Sequence, residues 1–304
     1  MLDTFIRLLT IMSLVPTVQA AGGAIPISYE HMFAPVPIER PAGPVRIETH
    51  RVNVVTSSKN IFVADVSSGE VLYASGAHDV LPIASLTKLV TAMVVLDHSR
   101  EQLGNSIQIL QGDLKDDVRS AFLSGEIMSR RQLLEALLIG SVNSAGNALA
   151  RETMGRDAFI AAMNQKVRDL GLATPTFVDP TGISLENRAS AADVAAILST
   201  ALSYPEIREI TQKNLVDLDG QSGKTYRFLS TNLLLNSYLA VGPYRIIGAK
   251  TGSLPGAGYS MAQVTRNPQG HEIVAVILGS EGHFTRYEDI KLVTAWVFDV
   301  FRWE

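Results

Sequence analysis

A serine and a lysine three residues apart, Ser85 and Lys88, could supply a nucleophile and its base. If residues 83–97 form a helix, this spacing places the hydroxyl and the amine on one face, within reach of each other. The stretch is apolar on almost every side, so we expect a buried helix, in which desolvation lowers the pKa of the lysine. A lysine with a lowered pKa can take a proton from the serine.

A purely structural interpretation of the same pair is also open. Ser85 could cap the N-terminus of the helix, while the amine of Lys88 reaches solvent from a core helix. Short motifs recur by chance, so this pair alone does not establish catalysis. Other residues must decide between the two interpretations.

A second polar motif, Ser141-Val142-Asn143, follows the apolar stretch 133–139. A polar triplet directly after a buried helix is typical of a loop that faces a cleft. The pattern of a serine two residues before an asparagine is weak by itself, because it also occurs at residues 58–60 and 230–232. We favour the copy at 141–143 because of the helix that precedes it.

A third motif, Lys250-Thr251-Gly252, occurs once in the chain. The residues around it predict a strand, a turn and a second strand. Glycine at position 252 would allow a substrate backbone to approach the first strand closely. Alone, the motif could be an ordinary lysine and threonine of an edge strand, but its place after the other two motifs weakens that interpretation.

In this order the three motifs resemble those of the low-molecular-mass penicillin-binding proteins, which are serine peptidases acting on D-alanyl peptides of peptidoglycan. Class A β-lactamases share the same three motifs. The similarity covers about residues 60–303 and points to the D-alanyl-D-alanine carboxypeptidase and endopeptidase branch. It extends to three further segments: Pro82-Ile83-Ala84-Ser85, Phe177-Val178-Asp179-Pro180-Thr181-Gly182 and Thr231-Asn232.

The resemblance gives the residues of the first two motifs expected roles. Ser85 would attack a D-alanyl carbonyl and form an acyl-enzyme that water later hydrolyses, with Lys88 as its base. Ser141 would pass a proton toward the leaving amine, and Asn143 would orient the substrate amide. The expected catalytic residues are therefore Ser85, Lys88 and Ser141.

The resemblance also implies how the third motif binds substrate. Lys250 and Thr251 would hold the carboxylate of the substrate or of a β-lactam inhibitor. The backbone N–H groups of Ser85 and Ser253 would form an oxyanion hole. Gly252 and Ser253 complete the expected substrate-binding set with Asn143.

Several activities fit this resemblance. Only residues 251–304 follow Lys250, which favours the penicillin-binding protein 7 group of D,D-endopeptidases, with carboxypeptidase as the alternative. A class A β-lactamase would need a glutamate-activated water from an E-x-x-x-N segment, and none lies between Ser141 and Lys250. A catalytically silent wall-binding protein is the non-enzymatic alternative, although every side chain expected to act is present.

The composition excludes other chemistry. The chain has no cysteine, which excludes thiolate catalysis, disulfides and thiolate metal sites. Its six histidines are scattered without the spacing of metal ligands, so we expect neither a metal nor a cofactor. The net charge is -4 with both signs interspersed, which does not suggest nucleic-acid binding.

The first residues predict export. Residues 1–20 are mostly apolar, with Arg7 near the start and a small-residue cleavage site at Val18-Gln19-Ala20, which is typical of a signal peptide. An uncleaved anchor is the alternative, but Arg7 and Pro16 leave too short an apolar run to span a bilayer comfortably. We therefore expect a periplasmic protein with no stable membrane anchor.

The remaining pattern predicts one peptidase domain of the α+β class. Residues 21–51 form a proline-rich linker, and residues 52–304 form the domain. An antiparallel sheet with flanking helices should come from about 52–99 and 225–304, with an inserted all-helical lobe at about 100–205. The resemblance implies a fold of the β-lactamase/transpeptidase type, with the active site between sheet and lobe.

Overall fold

The computed structural model describes residues 41–47, 54–117 and 121–304. The predicted signal peptide and most of the predicted linker lie outside these residues. Within them, no helix is both long enough and apolar enough to cross a membrane.

Helices and short strands surround one central sheet. The α-helices are α1 (Lys88–Ser99), α2 (Arg130–Leu138), α3 (Asn143–Met154), α4 (Arg156–Asp169), α5 (Ala191–Ala201), α6 (Pro205–Ile210), α7 (Tyr238–Val241) and α8 (Thr285–Val300). The 3₁₀ turns are Ala84–Thr87, Arg100–Gln102, Gln111–Asp116 and Leu233–Asn236. The strands are β1 (Val45–Arg46), β2 (Asn60–Asp65), β3 (Val71–Ser75), β4 (Leu81–Pro82), β5 (Ser106–Gln108), β6 (Ile127–Ser129), β7 (Arg188–Ala189), β8 (Leu215–Asp219), β9 (Thr225–Leu229), β10 (Arg245–Leu254), β11 (Gly258–Arg266), β12 (Glu272–Ser280) and β13 (Phe301–Arg302).

The central sheet is antiparallel, with strand order β10-β11-β12-β2-β3. Its middle strand β12 is buried on both faces, which explains its continuous apolar sequence. Successive side chains point to opposite faces of a strand. Ile277 therefore packs in the cluster that contains α8, while Leu278 packs in the larger cluster formed with the lobe.

The helix predicted at residues 83–97 is present, but its first turn is a 3₁₀ turn and its α-helical part is α1. Ten of the twelve residues of α1 are buried, Lys88 among them, as its apolar sequence predicted. The helix packs against α2, α3, α4 and α5. It therefore anchors Ser85 at its start in a well-packed part of the molecule.

The inserted lobe is mainly helical. Its sequence predicts two helix starts, because Ser129-Arg130-Arg131-Gln132 and Ser190-Ala191-Ala192-Asp193 both have the pattern of a capping box. Ser129 caps α2 and exchanges hydrogen bonds with Gln132, and Ser190 caps α5 in the same way with Asp193. These two capping-box predictions are confirmed.

The lobe also carries two short strand pairs that the helical pattern did not predict. Strands β5 and β6 pair, and each buries one central side chain, Ile107 or Met128. Strands β8 and β9 form a hairpin that buries Leu218 and Tyr226 against the lobe. Such short strands contain too few residues for their alternation to stand out in the sequence.

We expect Leu278→Ala to lower the free energy of unfolding by about 3 kcal/mol, because it leaves a cavity beneath the central strand. Leu278 is fully buried, whereas Leu292 on α8 is 44% exposed. The control Leu292→Ala should cost less than about 1 kcal/mol. Urea unfolding of both variants measures the difference, and equal losses would contradict this description of the core.

Candidate active site

The backbone in front of Ser85 is strained. Ala84 has φ 47°, a left-handed conformation that non-glycine residues rarely adopt. Gly182 lies against this turn so closely that a Cβ at position 182 would be 1.9 Å from the carbonyl oxygen of Ala84. The turn that presents Ser85 is thus held by a neighbouring loop that only glycine can form here.

Lys88 is completely buried and has three neutral hydrogen-bond partners. Its Nζ lies 2.9 Å from Ser85 Oγ, 2.7 Å from Asn143 Oδ1 and 2.6 Å from the carbonyl oxygen of Thr181. A neutral amine has two N–H groups and one lone pair. Asn143 and Thr181 can only accept hydrogen bonds at these atoms, so the two N–H groups serve them and the lone pair faces Ser85.

Burial lowers the pKa of Lys88 from 10.5 to about 7. The negative charges of Asp179, Asp117 and Asp116 act in the opposite direction and limit the fall. The neutral amine, which can act as a base, is therefore accessible near neutral pH. The predicted effect of desolvation on this lysine is confirmed in direction.

The loop that supplies the Thr181 carbonyl is organised by the carboxylate of Asp179. This carboxylate accepts hydrogen bonds from the backbone N–H groups of Thr181, Gly182 and Ser184. Burial alone would raise the pKa of Asp179, but hydrogen bonds from the backbones of Ser184 and Thr181 lower it overall. A charged Asp179 thus fixes both the Thr181 carbonyl and the glycine that supports Ala84.

The second motif forms the start of α3. Ser141 has φ 58°, and Asn143 begins the helix. Asp117 Oδ1 accepts hydrogen bonds from the N–H groups of Asn143 and Ser144, at 3.1 and 3.0 Å. Asp117 therefore satisfies helix donors that would otherwise lack partners.

The side chain of Asn143 is fixed from both ends. Its Oδ1 accepts from Lys88, and its Nδ2 donates to the carbonyl oxygen of Asp116 at 2.7 Å. An amide nitrogen carries two hydrogens, so one N–H remains for a substrate.

The third motif lies on β10, the edge strand of the central sheet among the described strands. Lys250 is almost fully buried, and its Nζ donates to Ser141 Oγ at 2.9 Å. Burial holds the pKa of Lys250 well below its usual value, and the charges of Lys88 and Arg286 lower it further. Ser141 of the second motif is thus held in place by Lys250 of the third motif.

Glycine at position 252 is required by the protein's own backbone. A Cβ there would lie 2.8 Å from the carbonyl oxygen of Ile83, in the turn that presents Ser85. The sequence suggested a close approach by substrate instead, and that contact stays a prediction. The glycine lets β10 pass directly beside the nucleophile.

The neighbouring hydroxyl of Thr251 donates to Thr231 Oγ1 at 2.7 Å. Thr231 belongs to the copy of the serine–asparagine pattern at 230–232, of which Thr231-Asn232 also forms part of the resemblance. That copy does not contact Lys88, but it supports the third motif. Its Asn232 accepts from the N–H of Leu234 and caps the following 3₁₀ turn.

Arg286, which was not predicted from the sequence, is buried on α8 and donates to the carbonyl oxygen of Gly252 at 2.8 Å. It donates a second hydrogen bond to Tyr287, whose hydroxyl donates to the carbonyl oxygen of Thr231. No local pattern marks Arg286, because its role depends on the packing of the last helix on the sheet. Asp117 was missed for a similar reason, since it binds the backbone of a segment that is distant in sequence. Asp179 belongs to the segment 177–182 that carries the resemblance, but no role was predicted for its carboxylate, which binds backbone groups of its own loop.

The predicted residues come together around one cleft of about 420 Å³. Asn143, Lys88 and Ser85 form one hydrogen-bonded chain, and Ser141 and Lys250 form another. Gly252 lies at the nucleophile turn. The cleft itself is lined by Ser85, Asn143, Gly182, Ile183, Ser253, Leu254, Pro255, Gly256, Gly258 and Tyr259.

No group of three or more histidine, aspartate or glutamate side chains in the described part of the chain could hold a metal ion. The chemistry supported by the residues present is acyl transfer to an activated serine. Its components are a nucleophile, a buried base, a second serine–lysine pair and an unpaired strand edge for an extended peptide.

Comparison with known proteins agrees with this chemistry. Residues 48–282 match peptidase family S11, described as D-alanyl-D-alanine carboxypeptidase. A D-alanyl-D-alanine endopeptidase of Pseudomonas aeruginosa is 32% identical over 249 residues, which cover 79% of this chain and 77% of that protein. One of Escherichia coli is 32% identical over 248 residues, with the same two coverages.

A solved structure is similar as well. Penicillin-binding protein D2 from Listeria monocytogenes, in its cefotaxime-bound form, has a TM-score of 0.70 and 27% identity, covering 82% of this chain and all of that one. The predicted α+β fold of the β-lactamase/transpeptidase type is confirmed. By the match over most of its length, this chain belongs to peptidase family S11, the family of D-alanyl-D-alanine carboxypeptidases.

Proposed function

We propose that this serine peptidase is a periplasmic D-alanyl-D-alanine endopeptidase that cuts peptidoglycan crosslinks through an acyl-enzyme on Ser85. The observation that carries the mechanism is the contact between Ser85 Oγ and the buried amine of Lys88. The two relatives named D-alanyl-D-alanine endopeptidase favour this activity over the alternative, carboxypeptidase. The predicted signal peptide supports the periplasmic location.

Acylation would begin with neutral Lys88. Its lone pair takes the proton of Ser85 while Oγ attacks the carbonyl carbon of a D-alanyl residue. The carbonyl oxygen becomes an oxyanion, which the N–H groups of Ser85 and Ser253 would receive, each donor being worth about 3 kcal/mol. Both residues line the cleft, which supports this placement.

The leaving amine would receive its proton through Ser141. This hydroxyl accepts a hydrogen bond from Lys250, so it can pass its own proton to the amine and recover one from the lysine. The C–N bond then breaks and the acyl-enzyme remains. Water later attacks the ester: Lys88 returns its proton to Ser85 Oγ as the ester C–O bond breaks, and the proton released by the water restores Lys250 through Ser141.

The substrate carboxylate would lie near Lys250 and Thr251. Arg286 adds a positive charge close enough to lower the pKa of Lys250, and this charge favours an anion on this side of the site. A bound carboxylate would stabilise the protonated form of Lys250 and offset the cost of its burial. Endopeptidase and carboxypeptidase reactions share the attacked D-alanyl carbonyl and differ in the leaving group, a stem-peptide amine or free D-alanine.

We expect a brief exposure to a penicillin to leave a covalent adduct on the protein, visible by intact-mass spectrometry. Ser85→Ala should lose the adduct completely, because the ester oxygen is missing, whereas the exposed Ser67→Ala should retain it. An adduct that survives in Ser85→Ala would refute the assigned nucleophile. Rapid consumption of penicillin without an adduct would support the β-lactamase alternative.

The rate of acylation should fall about tenfold per pH unit below a midpoint near pH 7, because protonated Lys88 has no lone pair. Burial and the charge of Asp179 set this pKa in opposite directions. Asp179→Asn removes a negative charge that favours the protonated amine, so the midpoint should move to lower pH.

The exposed Asp219→Asn serves as the charge-matched control and should leave the midpoint unchanged. The acylation rate of each variant is measured by stopped flow with a chromogenic cephalosporin, across about pH 5 to 9, so that the range includes the lowered pKa of Lys88. The midpoint of each pH profile does not depend on the fraction of active protein. A midpoint that rises in Asp179→Asn would show that Lys88 is not the group that titrates.

Digestion of purified cell-wall sacculi tests the choice between the two peptidase activities. We expect crosslinked muropeptide dimers to become monomers, since the proposed leaving group is the amine of a neighbouring stem peptide. Ser85→Ala should leave the dimers intact. Release of free D-alanine with unchanged dimers, measured by chromatography, would instead establish a carboxypeptidase.

A further inference from the structure

Three parts of the frame around the site meet at Thr231. Its N–H donates to the carbonyl oxygen of Ile139, two residues before Ser141, at 3.1 Å. Its carbonyl oxygen accepts from the hydroxyl of Tyr287 on α8 at 2.7 Å. Its hydroxyl accepts from Thr251 on β10, also at 2.7 Å. Thr231 has no role in the mechanism proposed above, although it bonds directly to a residue expected to bind substrate.

The backbone of Thr231 is held on both sides. Ile139 is the C-cap of α2, so its carbonyl oxygen needs a partner outside the helix, and the N–H of Thr231 supplies one. On the other side, Arg286 donates both to Tyr287 and to the carbonyl oxygen of Gly252. The same contacts therefore fix the position of Thr231 and that of β10. Two hydroxyls from separate segments face each other across this fixed gap.

The hydroxyl of Thr251 does not yet have the orientation that its expected role requires. A threonine hydroxyl donates one hydrogen bond, and a carboxylate can only accept. In the structure Thr251 donates its hydrogen to Thr231, so it offers only lone pairs to other groups. Thr251 can donate to a substrate carboxylate only after this hydrogen turns away from Thr231.

Thr231 can compensate for that turn. Its own hydroxyl hydrogen has no acceptor among the described residues. When the hydrogen of Thr251 turns to the carboxylate, the hydrogen of Thr231 can rotate toward Thr251 Oγ1. The bond between the two hydroxyls is then kept with its direction reversed, and no covalent bond changes. A hydroxyl that accepts a hydrogen bond is also a stronger donor, because the bonds in a chain polarise one another.

We propose that Thr231 is a positioning residue that orients the Thr251 hydroxyl toward the substrate carboxylate by reversing the hydrogen bond between them. Thr231 acts only through Thr251 and does not itself bind the carboxylate. The inference rests on the proposed function, in which Thr251 holds the carboxylate beside the leaving amine. It applies to both peptidase reactions, because each needs this carboxylate on the leaving side.

The test uses two thioesters, acetyl-D-alanyl-thioglycolate and its methyl ester. They share the acyl part, and only the first carries a carboxylate on its leaving group. Each kcat/KM is divided by the rate of uncatalysed hydrolysis of the same thioester, and the ratio of the two results measures recognition of the carboxylate. We expect the wild-type protein to favour the thioglycolate by about tenfold or more, as for hydrogen bonds to charged groups. A wild-type ratio near one would overturn the proposal.

Variants of Thr231 then test its hydroxyl. Thr231→Val keeps the branched shape and should lower the ratio about fivefold, since the cationic groups of the site still favour the carboxylate. Thr231→Ala should act in the same direction, and it covers the case in which the valine variant folds poorly. Thr231→Ser keeps a hydroxyl and should keep the wild-type ratio. The matched control is Thr225→Val, which removes an exposed hydroxyl that donates to Asp219 elsewhere on the same hairpin and should leave the ratio unchanged.

A double variant separates positioning from direct contact. In Thr251→Val no hydroxyl remains to be oriented, so the further change Thr231→Val should not lower the ratio again. If the two losses multiply, Thr231 binds the carboxylate independently, and its assignment as a positioning residue is wrong. Equal falls for both thioesters in Thr231→Val and Thr231→Ala would leave only a structural contact and would also overturn the proposal.

The ratio is measured on one preparation, so partial misfolding does not alter it. A penicillin adduct on Ser85 together with an unchanged ratio in Thr231→Val would refute the role of Thr231 and leave the proposed function intact. Absence of both the adduct and thioester hydrolysis in the wild-type protein would refute the proposed function and this inference with it.

Discussion

The burial of one lysine amine is the constraint on which this site depends. Lys88 is fully enclosed, and an enclosed amine is tolerable only if hydrogen-bond partners surround it. The three partners come from three separate parts of the chain: Ser85 from the turn before α1, Asn143 from the start of α3, and Thr181 from an irregular loop. Bringing these partners together depends on the whole fold.

Each partner is held in turn by local contacts. Gly182 allows the loop to press on the strained turn at Ala84, and Asp179 fixes that loop through its backbone N–H groups. Asp117 holds the start of α3 in the same way. Backbone strain of this kind persists only where surrounding contacts over-determine it, and both non-glycine residues with positive φ among those described, Ala84 and Ser141, lie at the site.

The reacting groups and the regular helices and strands could be predicted from the sequence, but most of the residues that hold the partners of Lys88 in place could not. The spacing of Ser85 and Lys88, the capping boxes at Ser129 and Ser190, and the strands around Lys250 all have local signatures, so their placement could be predicted. Asp179 belongs to a segment that resembles the family and binds backbone groups of its own loop, but the sequence did not show that this loop lies against Lys88. Asp117 has no local signature, because it acts on backbone groups whose position depends on tertiary packing. The same holds for Arg286, which reaches the third motif only after α8 has packed on the sheet.

The distribution of carboxylates explains why Lys88 can remain a base. Asp179, Asp117 and Asp116 all favour its protonated form through their charges, yet none accepts a hydrogen bond from its Nζ among the contacts of the described residues. The oxygens of Asp179 and Asp117 are occupied by backbone N–H groups instead. A direct ion pair would stabilise the ammonium form strongly and leave no lone pair at neutral pH. Because the carboxylates act at a distance, the pKa of the amine stays at about 7, where it can both take a proton from Ser85 and return one.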